Sequence, residues 1–439
     1  MKKYLSLFLV LLMSLSLFIS CGGKEEQPVD VVDINKVSQN ALKEEEACFN
    51  FFWNEQQIEE GNKGYGLIPD RYPDKALASI ASVGYGLASF PIGVKNGWVT
   101  YDEAKDRVLK TLVSLERLEH KEGFFYHFYA YRNGNPATNS EISNIDTAIM
   151  LMGGMVCAEF FGGEIKDAFY KLYDRVNWKW YINPKTNQFY MGYDPVKDKF
   201  SGAWDVYGEQ LMMYFLAAGS RNSEYRIDKK VYDAFNKFLG AYGGELFIHS
   251  WFGSIFTYQF SHAFIDFRNI VDANGVNWFE NSVKATKAAR QYAIDNSNKY
   301  FTYNENSWGI TACDTPKGYN GLLGSAPSGG NNTAHKNEGT IALAGSIGSM
   351  PFLPKEVDQS LNYYYNLLDG KLVGKYGLYD AYNLDYNTNR PWIAKDVIGI
   401  DKGISLLMIE NQRSNFVWHY IMQNESIQNA INVLGFTKI

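Results

Sequence analysis

What most constrains this chain is a run of short helical segments separated by long loops, with no linker-like stretch between them. Thr100-Tyr101-Asp102-Glu103 has the order of a capping box, and Ala104, Val108, Leu112 and Leu115 follow at helical spacing. Ser143-Asn144-Ile145-Asp146 opens a second such helix, carrying Ile145, Ile149, Met152 and Val156. Leu211, Tyr214, Phe215 and Ala218 line another. Pro354 suits a helix first turn and is followed by Val357, Leu361, Tyr364 and Leu368. Further helices are predicted near residues 38–54, 75–91, 165–176, 229–240, 280–296, 402–410 and 416–433. About a dozen helices within residues 37–439 predict one all-α domain whose helices pair into a closed ring, an α/α toroid. A solenoid would need a fixed repeat, and the sequence has none.

The loops between these helices carry the excess in composition. The chain has 28 Phe, 31 Tyr and 10 Trp, 16% of its residues, and 39 Gly. Loops longer than about 12–15 residues in a compact domain are usually functional. The net charge of −6 argues against a nucleic-acid partner, whose phosphates demand basic surface. Mean hydropathy is −0.28 and the only long apolar run is at the N-terminus, which excludes a multi-pass membrane protein. A hydrophobic content of 46% with only 12 Pro excludes a disordered chain.

The N-terminus reads as a targeting segment. Lys2 and Lys3 precede an apolar stretch from Tyr4 to Ile19, too short to span a membrane comfortably. Phe18-Ile19-Ser20-Cys21 resembles the cleavage site of a bacterial lipoprotein, which makes residues 1–20 a signal peptide and Cys21 the lipidated residue. Residues 21–36 follow as a flexible tether. The Lys24-Glu25-Glu26 sequence resembles the surface-export signal of some Gram-negative lipoproteins, placing the protein on the outer membrane, facing the periplasm or the cell surface. Cys48, Cys157 and Cys313 are odd in number and lie among apolar or small neighbours, so they are expected as buried thiols. No metal-ligand spacing or phosphate loop occurs, and no cofactor is implied.

Several loop segments combine Trp, Tyr, Asp, Glu, Asn and Gly. Aromatic faces stack on pyranose rings while carboxylates and amides bind paired hydroxyls, so this mixture predicts a sugar cleft. Cleaving a glycosidic bond then needs an acid for the leaving oxygen and a second carboxylate for water or attack. Glu209 is the first candidate for the acid, because Trp204, Tyr207 and the apolar helix after it would desolvate it. Asp146 is the second carboxylate, although its place in a capping box offers it a structural role. Glu141 is the next candidate. His127, Trp204, Asp205, Tyr207, Trp251, His262, Asp266, Arg268, Trp308, Asp314, Asp380, Glu410 and Arg413 are candidate substrate-binding residues.

Taken in order, these segments resemble the glycoamylase-like family of bacterial carbohydrate-active proteins. The resemblance rests on Glu141-x-Ser143-x-x-Asp146-Thr147-Ala148, Tyr207-x-Glu209, Phe256 to Arg268, and Trp308 through Asp314 to Tyr319. It continues in Gly339-Thr340, Tyr379-Asp380-Ala381-Tyr382-Asn383, Ile400-Asp401-x-Gly403 and Glu410-Asn411-x-Arg413. It implies an (α/α)6 toroid with a cleft of aromatic loops at one end, and inverting hydrolysis of a β-glucan, with β-1,2-glucan favoured. On that mapping Glu209 donates the proton and Asp146 acts on the water. Glu338-Gly339-Thr340 stands where many members read Asp-Gly-Thr, and the Gly- and Asn-rich stretch before it leaves endo versus exo action open. Two other classes fit the composition: a surface sugar-binding lipoprotein without turnover, and a polysaccharide lyase recruiting His262, Arg268 and Tyr258.

Overall fold

Burial alternates along the helices. In the computed structural model, which describes residues 37–386 and 390–439, the helices are α1 (Gln39–Glu55), α2 (Ile80–Lys95), α3 (Tyr101–Arg117), α4 (Asn144–Phe161), α5 (Gly163–Asp174), α6 (Leu211–Gly219), α7 (Lys229–Asp233), α8 (Phe260–Phe264), α9 (Trp278–Asp295), α10 (Leu343–Ile347), α11 (Pro354–Asn366), α12 (Gly399–Ser414), α13 (Phe416–Gln423) and α14 (Glu425–Leu434). The even-numbered helices from α2 to α12 are buried on nearly every side. Helices α1, α3, α5, α9 and α11 bury one face and leave the other polar. A helix apolar all round belongs inside, and an amphipathic one outside. Accordingly α2 packs on α4 and α12, α4 on α6, α6 on α8, and both α8 and α10 on α12. Glycine lets α2 and α4 meet backbone to backbone: a Cβ on Gly153 would lie 1.8 Å from the Gly84 carbonyl oxygen.

Short antiparallel strands decorate the helix starts. Ile142–Ser143, Gly192–Asp194 and Lys199–Ser201 form a three-stranded sheet with Ile142 opposite Tyr193 and Gly192 opposite Ser201. Thr340–Ala342, Ala381–Asn383 and Trp392–Ile393 form another. These strands, and the pair Leu77–Ser79 with Phe128–Ala130, lead into the buried helices.

The predicted caps form. Thr100 Oγ1 accepts the Glu103 N–H at 3.3 Å, and Glu103 Oε2 accepts the Thr100 N–H at 3.1 Å. Three boundaries differ from the sequence reading. The 75–91 helix starts at Ile80, because Leu77–Ser79 pairs as a strand. The 229–240 helix ends at Asp233, and Leu239–Tyr242 turns at Gly243-Gly244, both at positive φ, to pair with Glu245–Ile248. The 416–433 helix breaks at Asn424, whose side chain caps α14 by accepting the Ser426 N–H at 2.9 Å. Helices α8 and α10 escaped the reading because five apolar or small residues carry no period. Cys48, Cys157 and Cys313 are buried free thiols. The signal, lipidation and tether expected for residues 1–36 lie outside the described residues.

Candidate active site

The starts of α4, α8 and α12, and Glu209 two residues before α6, line one cleft of about 500 Å³. Asp146 enters it from the first turn of α4. Ser143 caps this helix, its hydroxyl accepting the Asp146 N–H at 3.2 Å and donating to Asp146 Oδ2 at 2.5 Å. The capping geometry predicted from sequence therefore fixes the carboxylate without removing it from the cleft. Glu141 immediately precedes the strand leading into α4 and also lines the cleft.

His127 ties the two together. Its Nδ1 lies 2.8 Å from Glu141 Oε1 and its Nε2 lies 3.7 Å from Asp146 Oδ1. The ring stacks on Phe128, with centroids 3.7 Å apart. Its backbone is held by Glu141, whose carbonyl accepts the His127 N–H at 2.9 Å. Burial opposes charge on this imidazole, but Asp146, Glu141 and Asp70 outweigh it and raise the pKa to about 9. In return, burial pushes Glu141 upward, but the bond from His127 and its charge prevail and hold that carboxyl below its ordinary range.

Glu209 faces the opposite condition. Its backbone is pinned by α8: Ser261 Oγ donates to the Glu209 carbonyl at 2.6 Å and accepts the Met212 N–H at 3.0 Å. Ser261 thus closes the start of α6, which has no side-chain cap of its own. Tyr207, two residues earlier, stacks on Trp278 at 4.7 Å between ring centroids and anchors the approach. Burial and then the charge of Asp146 raise the Glu209 carboxyl to about 8, against the opposing charge of His127. At neutral pH the site therefore holds a proton on Glu209 and a charged imidazole against the other carboxylates. That is a proton donor beside a group able to accept one from water.

A further acidic group sits behind this wall. Asp401, in the first turn of α12, is raised to about 6 by burial, with Asp314 and Asp70 adding to it against Asp380 and Lys402. Asp380 is buried beside it and held well above the ordinary carboxyl range by burial and by Asp401, so it keeps the proton that the pair shares. Asp380 Oδ2 also accepts the Asp314 N–H at 2.8 Å. Arg71 draws Asp314 and Asp396 together, at 3.2 Å each. The sequence reading noted the Ile400-Asp401 motif but gave Asp401 no role. An acidic residue in a helix first turn, just before the largely apolar run from Ile404 to Ile409, was the available signal, much like the one that marks Asp146.

Other candidates line the site or miss it. Trp204 borders the cleft and donates from Nε1 to Asn144 Oδ1 at 3.3 Å. Asp205 and Trp251 are exposed and line a second lobe beside Glu209. Trp308 is a correction: it is fully buried in the core, where its carbonyl accepts the Tyr364 hydroxyl at 3.1 Å. His262 is another; it is buried against Ser282 at 2.9 Å, and burial pushes its pKa down to about 3. Arg268 pairs with Asp266 at 2.7 Å and lies over the Trp418 ring, a structural pair that does not line the cleft. Glu410 and Arg413 are buried near the C-terminal end of α12, bonded to each other at 2.6 Å, remote in the helix from Asp401. Tyr258 is also buried, its hydroxyl accepting the Ser250 N–H at 2.8 Å, so the trio suggested for a lyase is not assembled at the cleft. Among the described residues no three His, Cys, Asp or Glu side chains are grouped to hold a metal ion.

The chain is 26% identical to the exo-β-1,2-glucooligosaccharide sophorohydrolase (non-reducing end) of Parabacteroides distasonis, across 90% of this chain and 57% of that protein. The chain thus spans little more than half the length of this curated relative. Among solved structures, the endo-β-1,2-glucanase of Chitinophaga pinensis, in complex with sophorotriose and glucose, is 25% identical and superposes with a TM-score of 0.78. That match covers 91% of this chain and 98% of the other. A glucoamylase-like protein of Bacteroides uniformis is also 25% identical, with a TM-score of 0.79 over 91% and 97% of the two chains. Residues 201–425, which include Glu209, Asp314, Asp380 and Asp401, match the glycoamylase family, described as putative glucoamylase; with just over half its length inside that match, the chain belongs to the glycoamylase family.

Proposed function

We propose that this protein is a glycoside hydrolase that cleaves β-1,2-glucan or its oligosaccharides with inversion at the anomeric carbon. The observation that carries this reading is the contrast at the cleft: Glu209 holds its proton to about pH 8, while His127 braces Glu141 and Asp146. Glu209 donates its proton to the glycosidic oxygen as the bond breaks. Asp146, oriented by Ser143 and His127, takes a proton from the water that attacks the opposite face of the sugar, with Glu141 the alternative base. The β-1,2-glucan assignment draws on the activities named for the Parabacteroides and Chitinophaga relatives.

The alternation of buried and amphipathic helices, together with the likeness to those solved structures, supports an (α/α)6 toroid with the aromatic cleft at one end, built from residues 37–439. The sequence around Cys21 supports an exported protein anchored by lipid to the outer membrane. Neither a cofactor nor a nucleic acid enters this scheme. The test is a panel of β-1,2-glucan, starch and β-1,3-glucan with product sizing, and NMR of the first product formed. Release of sugar from β-1,2-glucan with inverted configuration is expected. Retained configuration would remove the inverting mechanism, and inertness towards the whole panel would favour a binding protein.

A further inference from the structure

Glu209 stands in the wall common to two lobes of the cleft. One lobe holds Asp146 and His127. The other, of about 430 Å³, holds neither, and its walls are largely aromatic: Trp251, Phe252, Trp204 and Phe256. Both volumes fall within the range of about 300–1,000 Å³ typical of ligand pockets. Trp251 is 43% exposed and Phe252 37%, so two adjacent aromatic side chains stand open on the wall of this lobe.

These two residues are rigidly backed. The Gly329 N–H donates to the Trp251 carbonyl at 2.7 Å, and the Ser325 N–H donates to the Gly253 carbonyl at 3.1 Å. The Ser254 hydroxyl donates to the Leu323 carbonyl. Gly253 has φ +67°, and a Cβ there would lie 1.9 Å from the Ser325 carbonyl oxygen, so only glycine allows the two segments to meet. The Gly- and Asn-rich stretch around residues 323–336 is therefore a brace behind an aromatic shelf.

On the hydrolase reading, which this inference rests on, geometry fixes the direction of the substrate. In an inverting displacement the base and its water face the anomeric carbon on the side opposite the leaving oxygen. The sugar under attack then lies between Asp146 and Glu209, and the departing portion extends past Glu209 into the lobe that lacks Asp146. We propose that Trp251, with Phe252 beside it, is the stacking platform for the leaving-group glucose units, and that the 323–336 stretch serves to hold that platform in place.

The experiment compares two substrates. A β-1,2-glucooligosaccharide fills the leaving-group side with sugar. β-Sophorosyl fluoride presents the same linkage to the other lobe, with a leaving group too small to reach the shelf. Trp251→Ala should lower kcat/KM for the oligosaccharide roughly tenfold more than for the fluoride, the order expected of one aromatic stacking contact. Trp251→Phe should restore most of that difference. Equal losses on both substrates, or a larger loss on the fluoride, would overturn the assignment, as would no loss on either. Failure of the parent protein to hydrolyse both substrates would instead bring down the hydrolase reading beneath it.

Discussion

Helix α12 carries carboxylates at both ends, and the two ends do different things. At its start, beside the cleft, Asp401 is raised to about 6, and Glu209, which lines that cleft from just before α6, stands at about 8. Near its C-terminal end Glu410 is fully buried yet held down to about 2. Burial pushes Glu410 upward as it does the others. What reverses the outcome is company: the hydrogen bond from Glu45, then the charges of Lys95 at 2.5 Å and Arg413 at 2.6 Å. Glu45 beside it is held well above its ordinary range by burial and by Glu410, so this pair shares one proton among two cations. Glu209 has one opposing charge, His127, and that imidazole is already committed to Glu141 and Asp146. Partner count, more than burial, separates a carboxylate that builds the fold from one left with a proton to give away.

The sharpest way to break this comparison is to remove each carboxylate in turn. Glu209→Gln should lose at least about 100-fold in kcat, the lower end of general acid contributions, while folding normally. Glu410→Gln should do the reverse. It leaves Lys95 and Arg413 with a weakened anion, costing about 3 kcal/mol in denaturant unfolding, while turnover per folded molecule persists. Near-normal turnover for Glu209→Gln, or lost turnover with unchanged stability for Glu410→Gln, would show that the two carboxylates have been assigned the wrong roles.

The same two residues show how far sequence reading reaches. Glu209 was legible because its neighbours, Trp204, Tyr207 and an apolar helix, announce desolvation locally. Asp146 was legible because a capping position is written in four consecutive residues. Glu410 and Arg413 are read from sequence as sugar contacts because Glu410-Asn411-x-Arg413 shares the charged and amide residues of the loop segments. Their partners Glu45 and Lys95 lie more than 300 residues away, and no local pattern records that meeting. Trp308 and His262 failed for the same reason: their motifs resemble cleft loops, and only packing reveals that they face inward. The long amphipathic helices were readable from period, whereas the short buried α8 and α10 had none, although α8 supplies the Ser261 that positions Glu209.

His127→Asn tests the middle of the comparison, the single cation at the cleft. Loss of the imidazolium removes the hydrogen bond and the charge that hold Glu141 below its ordinary range. It also removes the one charge that lowers Glu209. Both limbs of the kcat/KM profile should therefore move to higher pH, with a fall of roughly tenfold or more at the parent optimum. A rate loss with neither limb displaced would reduce His127 to a packing role.

The smallest effect concerns stability, and here Glu209 and Glu410 should differ in sign. Glu209 has a folded pKa of about 8 against an ordinary 4.5, so the folded state binds the extra proton between those values. Its contribution to stability is complete below about pH 4.5 and is lost as pH rises through 8. Glu410, depressed to about 2, contributes above pH 4.5, and that contribution is lost as pH falls through 2. Glu209→Gln should therefore gain on the parent protein as pH rises from 5 to 8, by a few degrees in Tm at most, and change little further above that. Glu410→Gln should show its full deficit at neutral pH, and the deficit should shrink only on acidification below about pH 4. Thermal unfolding of the three proteins at matched pH and ionic strength measures both trends. Parallel curves for the two variants would mean that Glu209 and Glu410 experience the same environment, and that the division between them fails.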